Sequence, residues 1–385
     1  MSLAKINVDF VNRYYRKDYS MLKFLCIWVD DGAITSIPYM VYFFVVNVVI
    51  RLVFTGGHII HALFNSDTVM NFASHGYTVP AIMIAIIQSY CIFKHRHKIN
   101  GLYAAFSDDI FQPKNSDQLV MVGKPLKLFA RIKVLMVRVV FMANVACVIT
   151  PLFYKMNEQD LPFPVWFPFD ISGRVVHTIV HIHQCFGCYY IAFVILYTEI
   201  MFVGFSTFIT LQCDLLCDNL KKIDIRHDIP SMESLKRCIH HHWKILKFIR
   251  TIEEIFNVIY FAQFFGSTLV ICQVLFLLSL VEVRSMECLF LIVYQVAIYG
   301  MLLMPCWFSS EMTRKSEYIP LAAYECAWPD ATPMFKKELM YFMHITQKPI
   351  ELSTMNLFRL SVGTFLSISK SAFSYYQVLS GINAE

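Results

Sequence analysis

Charge is scarce in this chain: 16% of its 385 residues are Asp, Glu, Lys or Arg, where soluble domains average about 25%, while 57% are hydrophobic. That balance excludes an ordinary soluble domain and implies an integral membrane protein. Other absences narrow the chemistry. No phosphate-cradling glycine loop, His-Glu-x-x-His or Gly-x-Ser-x-Gly occurs, so no catalytic motif stands out and no cofactor is expected. No basic tract with interleaved aromatic or glycine residues points to nucleic acid. Most of the twelve cysteines sit in or beside apolar runs as small hydrophobes, without a disulfide framework. The first 23 residues lack a signal-like apolar core, so the first spanning helix is expected to insert the chain.

What is present is a series of uncharged runs long enough to cross a bilayer, which takes about 20 residues. They fall at 37–54, 69–93, 133–154, 180–210, 257–280 and 288–309, and a more polar stretch at 357–379 makes seven. The fold class expected is an all-α membrane protein. Lysine and arginine number five before the first span, then seven, eight and five in the connections 94–132, 211–256 and 310–356; the opposite loops carry none, two and one. By the positive-inside rule the N-terminus is cytoplasmic and the C-terminus extracellular. A G-protein-coupled receptor runs the other way, and Asp-Arg-Tyr after the third span and Asn-Pro in the seventh are missing. No internal repeat suggests a transporter.

The chain divides into a cytoplasmic segment 1–36, six spans with extensions over 37–309, a cytoplasmic segment 310–356, the last helix 357–379 and an outer tail 380–385. Both long cytoplasmic connections have helical periodicity. Leu235, Ile239, Trp243, Leu246 and Ile249 form one face, and Phe335, Leu339, Phe342, Met343 and Ile345 another, so each is expected to pack on the other or on a neighbouring subunit.

Several polar groups invite a site. The consecutive His240, His241 and His242 point three ways on a helix and are expected on solvated surface. His177 and His181 lie one turn apart with no carboxylate near, so no metal site is expected. Cys185 and Cys188 have Cys-x-x-Cys spacing at a membrane helix end, where packing is the expected role. Within the spans Arg138 and Glu199 are candidate ion-pair partners. The outer halves of spans two, three, four and six carry Phe72, His75, Tyr77, Ala146, Thr150, Tyr154, Tyr190, Phe193, Tyr197, Tyr294 and Ile298. Such rings serve as packing or interface residues, or line an apolar cavity if the helices splay.

In the last helix Thr364, Ser367, Ser371, Ser374 and Val378 are spaced 3, 4, 3 and 4, a single stripe with four hydroxyls. A stripe of this kind faces an aqueous pore, lies at an interface, or packs small residues on a neighbour.

The runs Cys306-Trp307-Phe308-Ser309-Ser310-Glu311-Met312-Thr313, Tyr324-Glu325-Cys326-Ala327-Trp328 and Phe335-Lys336-Lys337-Glu338-Leu339 resemble the third cytoplasmic loop of insect odorant receptors. Gln347-Lys348-Pro349-Ile350-Glu351-Leu352 and the stretch from Thr364 to Tyr376 resemble that family's terminal signature, with Tyr376 and Gln377 departing from its usual Phe/Thr pattern. Gustatory receptors, the alternative, usually end in Thr-Tyr followed by Gln-Phe, where this chain has Ser374-Tyr375-Tyr376-Gln377-Val378; a transporter or membrane enzyme is a more remote reading. The 211–256 connection is also too short for the odorant co-receptor.

The resemblance implies a ligand-selective tuning subunit of a heteromeric, non-selective cation channel in the plasma membrane of a sensory neuron. Its implied partners are co-receptor subunits in a tetramer, a small volatile hydrophobic ligand and the bilayer, with no nucleic acid and no G protein. A cavity among spans two, three, four and six would hold the ligand. The last helix would line the pore with Val378 as apolar gate. Trp243, Trp328, Phe335, Leu339, Gln347, Lys348 and Pro349 fall in the implied subunit anchor.

Overall fold

The computed structural model describes residues 18, 20–28, 37–64, 76–153, 161, 163, 165–171, 173–224 and 228–384. Helices dominate them: α1 (Ile37–Phe44), a π-helical stretch Val45–Leu52, α2 (Val53–Phe64), α3 (Thr78–Lys94), α4 (Arg96–Ala105), α5 (Ser116–Phe153), α6 (Arg174–Lys221), α7 (Asp228–Leu280), α8 (Met286–Ser316), α9 (Ile319–Tyr324), α10 (Pro333–Thr346) and α11 (Val362–Ala384). Among the described residues one hairpin pairs β1 (Ser353–Thr354) with β2 (Phe358–Arg359) in antiparallel register.

At 1.5 Å per residue, the 48 residues of α6 and 53 of α7 run about 70–80 Å, more than twice the ~30 Å hydrocarbon layer. These helices therefore overshoot the membrane and build a second bundle at the end carrying the basic connections, called here the basic end. Four helical stretches are long and apolar enough to cross a membrane among the described residues, at Met40–Phe64, Arg174–Lys221, Ile229–Leu280 and Met286–Tyr324; α3 and α4, bent by 69° at their break, make a fifth if taken together. The expected third and seventh spans are helical in α5 and α11 but are not in that set. In α11 four stripe hydroxyls and Lys370 dilute the apolar character.

The core runs through both halves along α6, whose stretch from Val194 to Cys213 is buried throughout. One group of polar side chains that enters it is joined by hydrogen bonds. Glu199 (α6) accepts a hydrogen bond from the Tyr260 hydroxyl (α7) at 3.0 Å and from Gln88 Nε2 (α3) at 3.4 Å, and the same Gln88 amide reaches Gln263 Oε1 at 3.2 Å. The expected partner of Glu199, Arg138, instead points outward from α5, because hydroxyl and amide groups satisfy the carboxyl without a second charge to desolvate.

The histidine triplet also departs from expectation. His240 is exposed and stacks on Trp243, but His241 and His242 are buried, 3% and 7% exposed. Consecutive residues on a helix spread over three directions, and α7 at the basic end is covered on two of them. His241 Nε2 lies 3.0 Å from Gln212 Oε1, and His242 meets Phe342 edge-on.

Burial holds these rings neutral, pushing His241 down to about 3 and His242 to about 4. Both values lie below the ordinary histidine value near 6.5, so between about pH 6.5 and 4 the unfolded chain binds more protons than the folded one. Stability is then full above pH 6.5 and falls with acidification. A shift from pH 7 to 5.5 is expected to cost about 1 kcal/mol for each ring. The midpoint of thermal unfolding, followed across that interval in wild type and in His242→Gln, checks this: the variant loses part of the pH slope.

Candidate functional site

Four helix stripes and one connecting loop close a cavity in the half of the bundle opposite the basic end. Val140, Ala143, Asn144 and Cys147 come from α5, Cys188, Ile191, Ala192 and Ile195 from α6, and Phe290, Tyr294, Ala297, Ile298 and Met301 from α8, each set at spacings of three and four. Tyr77, Thr78, Ala81 and Ile82 at the start of α3, with Phe54 and Phe163, complete a wall around about 710 Å³ of atom-free space, mouth included.

Local chemistry places two of these rings. Gly187 lets Phe54 lie against α6, since a Cβ there would stand 2.4 Å from the ring. Gln184, fully buried, both donates to Phe163 O (3.0 Å) and accepts from Phe163 N (3.1 Å), which pins that loop residue over the cavity in T-shaped contact with Phe54.

The wall is apolar with a few polar points. Tyr77 and Tyr294 meet edge to face at 5.8 Å, and no hydrogen bond engages either phenol among the described residues. Asn144 spends its amide on Val140 O (2.8 Å) and its carbonyl oxygen on the Cys188 thiol (3.1 Å). The site is thus shaped for a small apolar molecule with a hydrogen-bonding group directed at two phenols. Among the described residues no cluster could hold a metal ion.

Of the residues expected at a ligand cavity, Tyr77, Tyr294 and Ile298 line this one. Ala146, Tyr190, Phe193 and Tyr197 do not. The Tyr190 hydroxyl turns the other way and donates to Leu25 O at 3.1 Å, while Tyr189, Phe193 and Tyr197 form a stacked column along another face of α6, with ring centroids 6.4 and 6.2 Å apart. Both faces of α6 carry rings, so aromatic content alone does not select the cavity face. The side chain of Thr150, and Phe72, His75 and Tyr154 altogether, lie outside the described residues. The residues that aromatic content passes over, such as Ala143, Ile191 and Ala192, are small or aliphatic, and only their three-four spacing marks them.

The second candidate element is α11. The hairpin before it is fastened to α7, where Thr354 Oγ1 donates to Asn257 O at 2.6 Å and Ser353 N to Glu253 Oε1 at 3.3 Å, and the helix start is held by Val362 N donating to Ser310 Oγ at 3.0 Å. Met355 and Asn356 both take positive φ at its tip, near 51° and 54°. Ala372 is buried and Phe365 meets Tyr299 of α8 edge-on at 6.2 Å. Among the described residues nothing covers the opposite face. Thr364 is half-buried, whereas Ser367, Ser371, Ser374 and Val378 are exposed; Ser367 and Ser374 donate to the carbonyls of Gly363 and Lys370, leaving oxygen lone pairs outward. Leu366, Phe373 and Tyr375 are exposed beside them.

At the basic end the expected anchor residues separate. Trp243, stacked with His240 and under Lys247, is 54% exposed, and Gln347 and Lys348 are exposed. Trp328 and Pro349 are half-buried. Phe335 and Leu339, at 1% and 3%, are buried within the chain itself and are not available to a neighbouring subunit. The outward face of α10 is instead Met334, Met340, Tyr341 and Ile345.

A family model described as 7tm Odorant receptor matches residues 69–373. Odorant receptor Or1 of Anopheles gambiae is 22% identical over the whole of both chains, and odorant receptor 2a of Drosophila melanogaster is 22% identical over 90% of this chain and 91% of its own. The structure of the insect olfactory receptor OR5 from Machilis hrabei in complex with eugenol superposes with a TM-score of 0.88 at 13% identity, covering 98% of this chain and 100% of that one, which is agreement in fold.

Proposed function

This chain belongs to the 7tm odorant receptor family, a receptor family and not an enzyme family, and we propose from that premise that it is the odorant-binding tuning subunit of a heteromeric, ligand-gated cation channel. It is a multi-pass membrane protein. On this reading it crosses the plasma membrane seven times, counting α5 and α11, with the basic end and the N-terminus in the cytoplasm.

The observation that carries the proposal is that one helix touches both candidate elements. Tyr294, Ile298 and Met301 of α8 line the cavity, and Tyr299, next to Ile298, packs on Phe365 of α11. A ligand that fits the cavity better in one arrangement of α8 thereby biases α11, which is the only way a ligand shifts a conformational equilibrium. The bare hydroxyl face of α11 supports a pore shared with other subunits, because that face has no cover among the described residues. Partner subunits of the co-receptor type complete it, and the outward faces of α10 and Trp243 are the surfaces offered to them.

Coexpression with a co-receptor in oocytes, with a panel of volatiles applied under voltage clamp, tests the whole reading. A ligand-evoked cation current that requires this chain supports it. Silence of a surface-expressed complex across a broad panel overturns it.

Two narrower outcomes follow. Tyr294→Phe and Tyr77→Phe remove one hydroxyl each and are expected to weaken hydrogen-bonding ligands by roughly two- to tenfold while leaving purely apolar ones unchanged, as read from dose-response midpoints. An equal shift for both ligand types would assign the rings to packing. Val378→Ser is expected to raise the current without ligand, since it replaces the apolar member of the stripe; an unchanged basal current moves the gate elsewhere.

A further inference from the structure

A second cavity lies at the basic end, far from the odorant cavity and opposite to it in character. It opens between the 109–115 loop, the start of α5, the end of α6 and the first turns of α7, and encloses about 1100 Å³ of atom-free space, mouth included. Lys114, Lys222 and Arg237 converge on it, against one lining carboxylate, Asp109. Lys222 is paired with Asp218 at 2.8 Å; neither Lys114 nor Arg237 has a carboxylate partner among the described residues. Lys114 and Arg237 are thus the two lining cations that an anion in the cavity would match.

The floor is organised rather than accidental. Gln118, 1% exposed, accepts from Lys114 N at 2.7 Å and donates to Asp218 Oδ2 at 2.8 Å and Asn219 Oδ1 at 2.9 Å, so it ties the loop to the end of α6. Because the Asn219 oxygen is used, its amide hydrogens remain for another acceptor. Asn115 and Ser234 add further polar groups on the same wall, and buried His241 stays neutral, in part because Lys114 stands near it.

We propose that this cavity binds a small, multiply charged phosphate ester, with Lys114, Lys222 and Arg237 as the charged contacts and the amides of Asn115 and Asn219 as hydrogen-bond donors. Lysine and arginine match phosphate oxygens by charge-assisted hydrogen bonds, and the surrounding amides supply the neutral ones. Asn219 lies nine residues past Thr210, where the fourth span is expected to end, so about 13 Å of helix separates it from the membrane. A soluble phosphate ester and the headgroup of a phosphorylated lipid share this chemistry.

The test uses the full-length chain in phosphatidylcholine nanodiscs with inositol trisphosphate as soluble probe, and separately in nanodiscs containing phosphatidylinositol bisphosphate. Saturable binding is expected in at least one arm, weakened roughly tenfold or more in Lys114→Gln/Arg237→Gln and unchanged in Lys236→Gln, an exposed neighbour outside the cavity. The arm that binds identifies the source of the phosphate. Hydrogen exchange on the wild type gives a reading that no variant's folding affects: ligand should protect 109–119 and 234–241. The proposal is overturned by no saturable binding in either arm, by equal affinity in the double variant, or by protection that avoids both segments.

Discussion

Phe335→Ala is expected to destabilise the basic end by about 3–5 kcal/mol, the range for emptying a buried aromatic site. Phe335 is 1% exposed and starts the inward stripe of α10, continued by Leu339, Phe342 and Thr346. The helix is set there by Thr332, whose hydroxyl accepts from Phe335 N, and by Pro333 at its first turn. Its inward face meets α7 and α9, with Phe342 against His242. A loss of this size is a large part of a typical folding free energy, so the variant should fail to reach the cell surface.

The matched comparison is Tyr341→Ala with Ile345→Ala on the outward face, both 55–60% exposed. That pair should leave the chain folded and surface-competent in an isolated state and reduce its recovery in complexes with co-receptor. Fluorescence-detected size-exclusion chromatography separates the outcomes. If Phe335→Ala runs as a folded monomer lacking only its partners, its side chain is a subunit contact after all.

Glu199→Ala is the second large effect. It leaves the Tyr260 hydroxyl and the Gln88 amide without their shared acceptor in the middle of the bundle, where no water replaces it. At about 1–3 kcal/mol for each stranded group, the expected cost is roughly 2–6 kcal/mol before any cavity is counted. Tyr260→Phe strands one oxygen and should cost about 1–3 kcal/mol, while Glu199→Gln, which keeps an acceptor oxygen, should lose least. The thermal midpoint in detergent orders the three. A ranking in which Glu199→Gln is as damaging as Glu199→Ala would show that something other than these hydrogen bonds holds the site.

The two cases mark where reading the chain succeeds and where it stops. Periodicity around 335–346 correctly predicts a helix and the residues that share its faces, yet Phe335 and Leu339, expected at a subunit contact, face inward. The triplet His240, His241 and His242 reads as surface because adjacent residues diverge on a helix; α10 covers His242, and the Gln212 side of α6 covers His241. Glu199 was legible as a costly group in need of a partner, but Tyr260 and Gln88, 61 and 111 residues away, were not.

By itself the sequence determined that this is an α-helical membrane protein, that its last helix carries a hydroxyl stripe, and, through the motifs from Cys306 to Tyr376, which family it resembles. These follow from local quantities: composition, run length and spacing. Only the tertiary structure decided which face of α6 meets the apolar cavity, that the aromatic column Tyr189, Phe193 and Tyr197 lies off it, and that Tyr299 links that wall to α11. The physical reason is the solvent. In water one face of a helix must be polar, so the pattern points inward; in lipid both faces are apolar, and periodicity says which residues stand together without saying what they stand against.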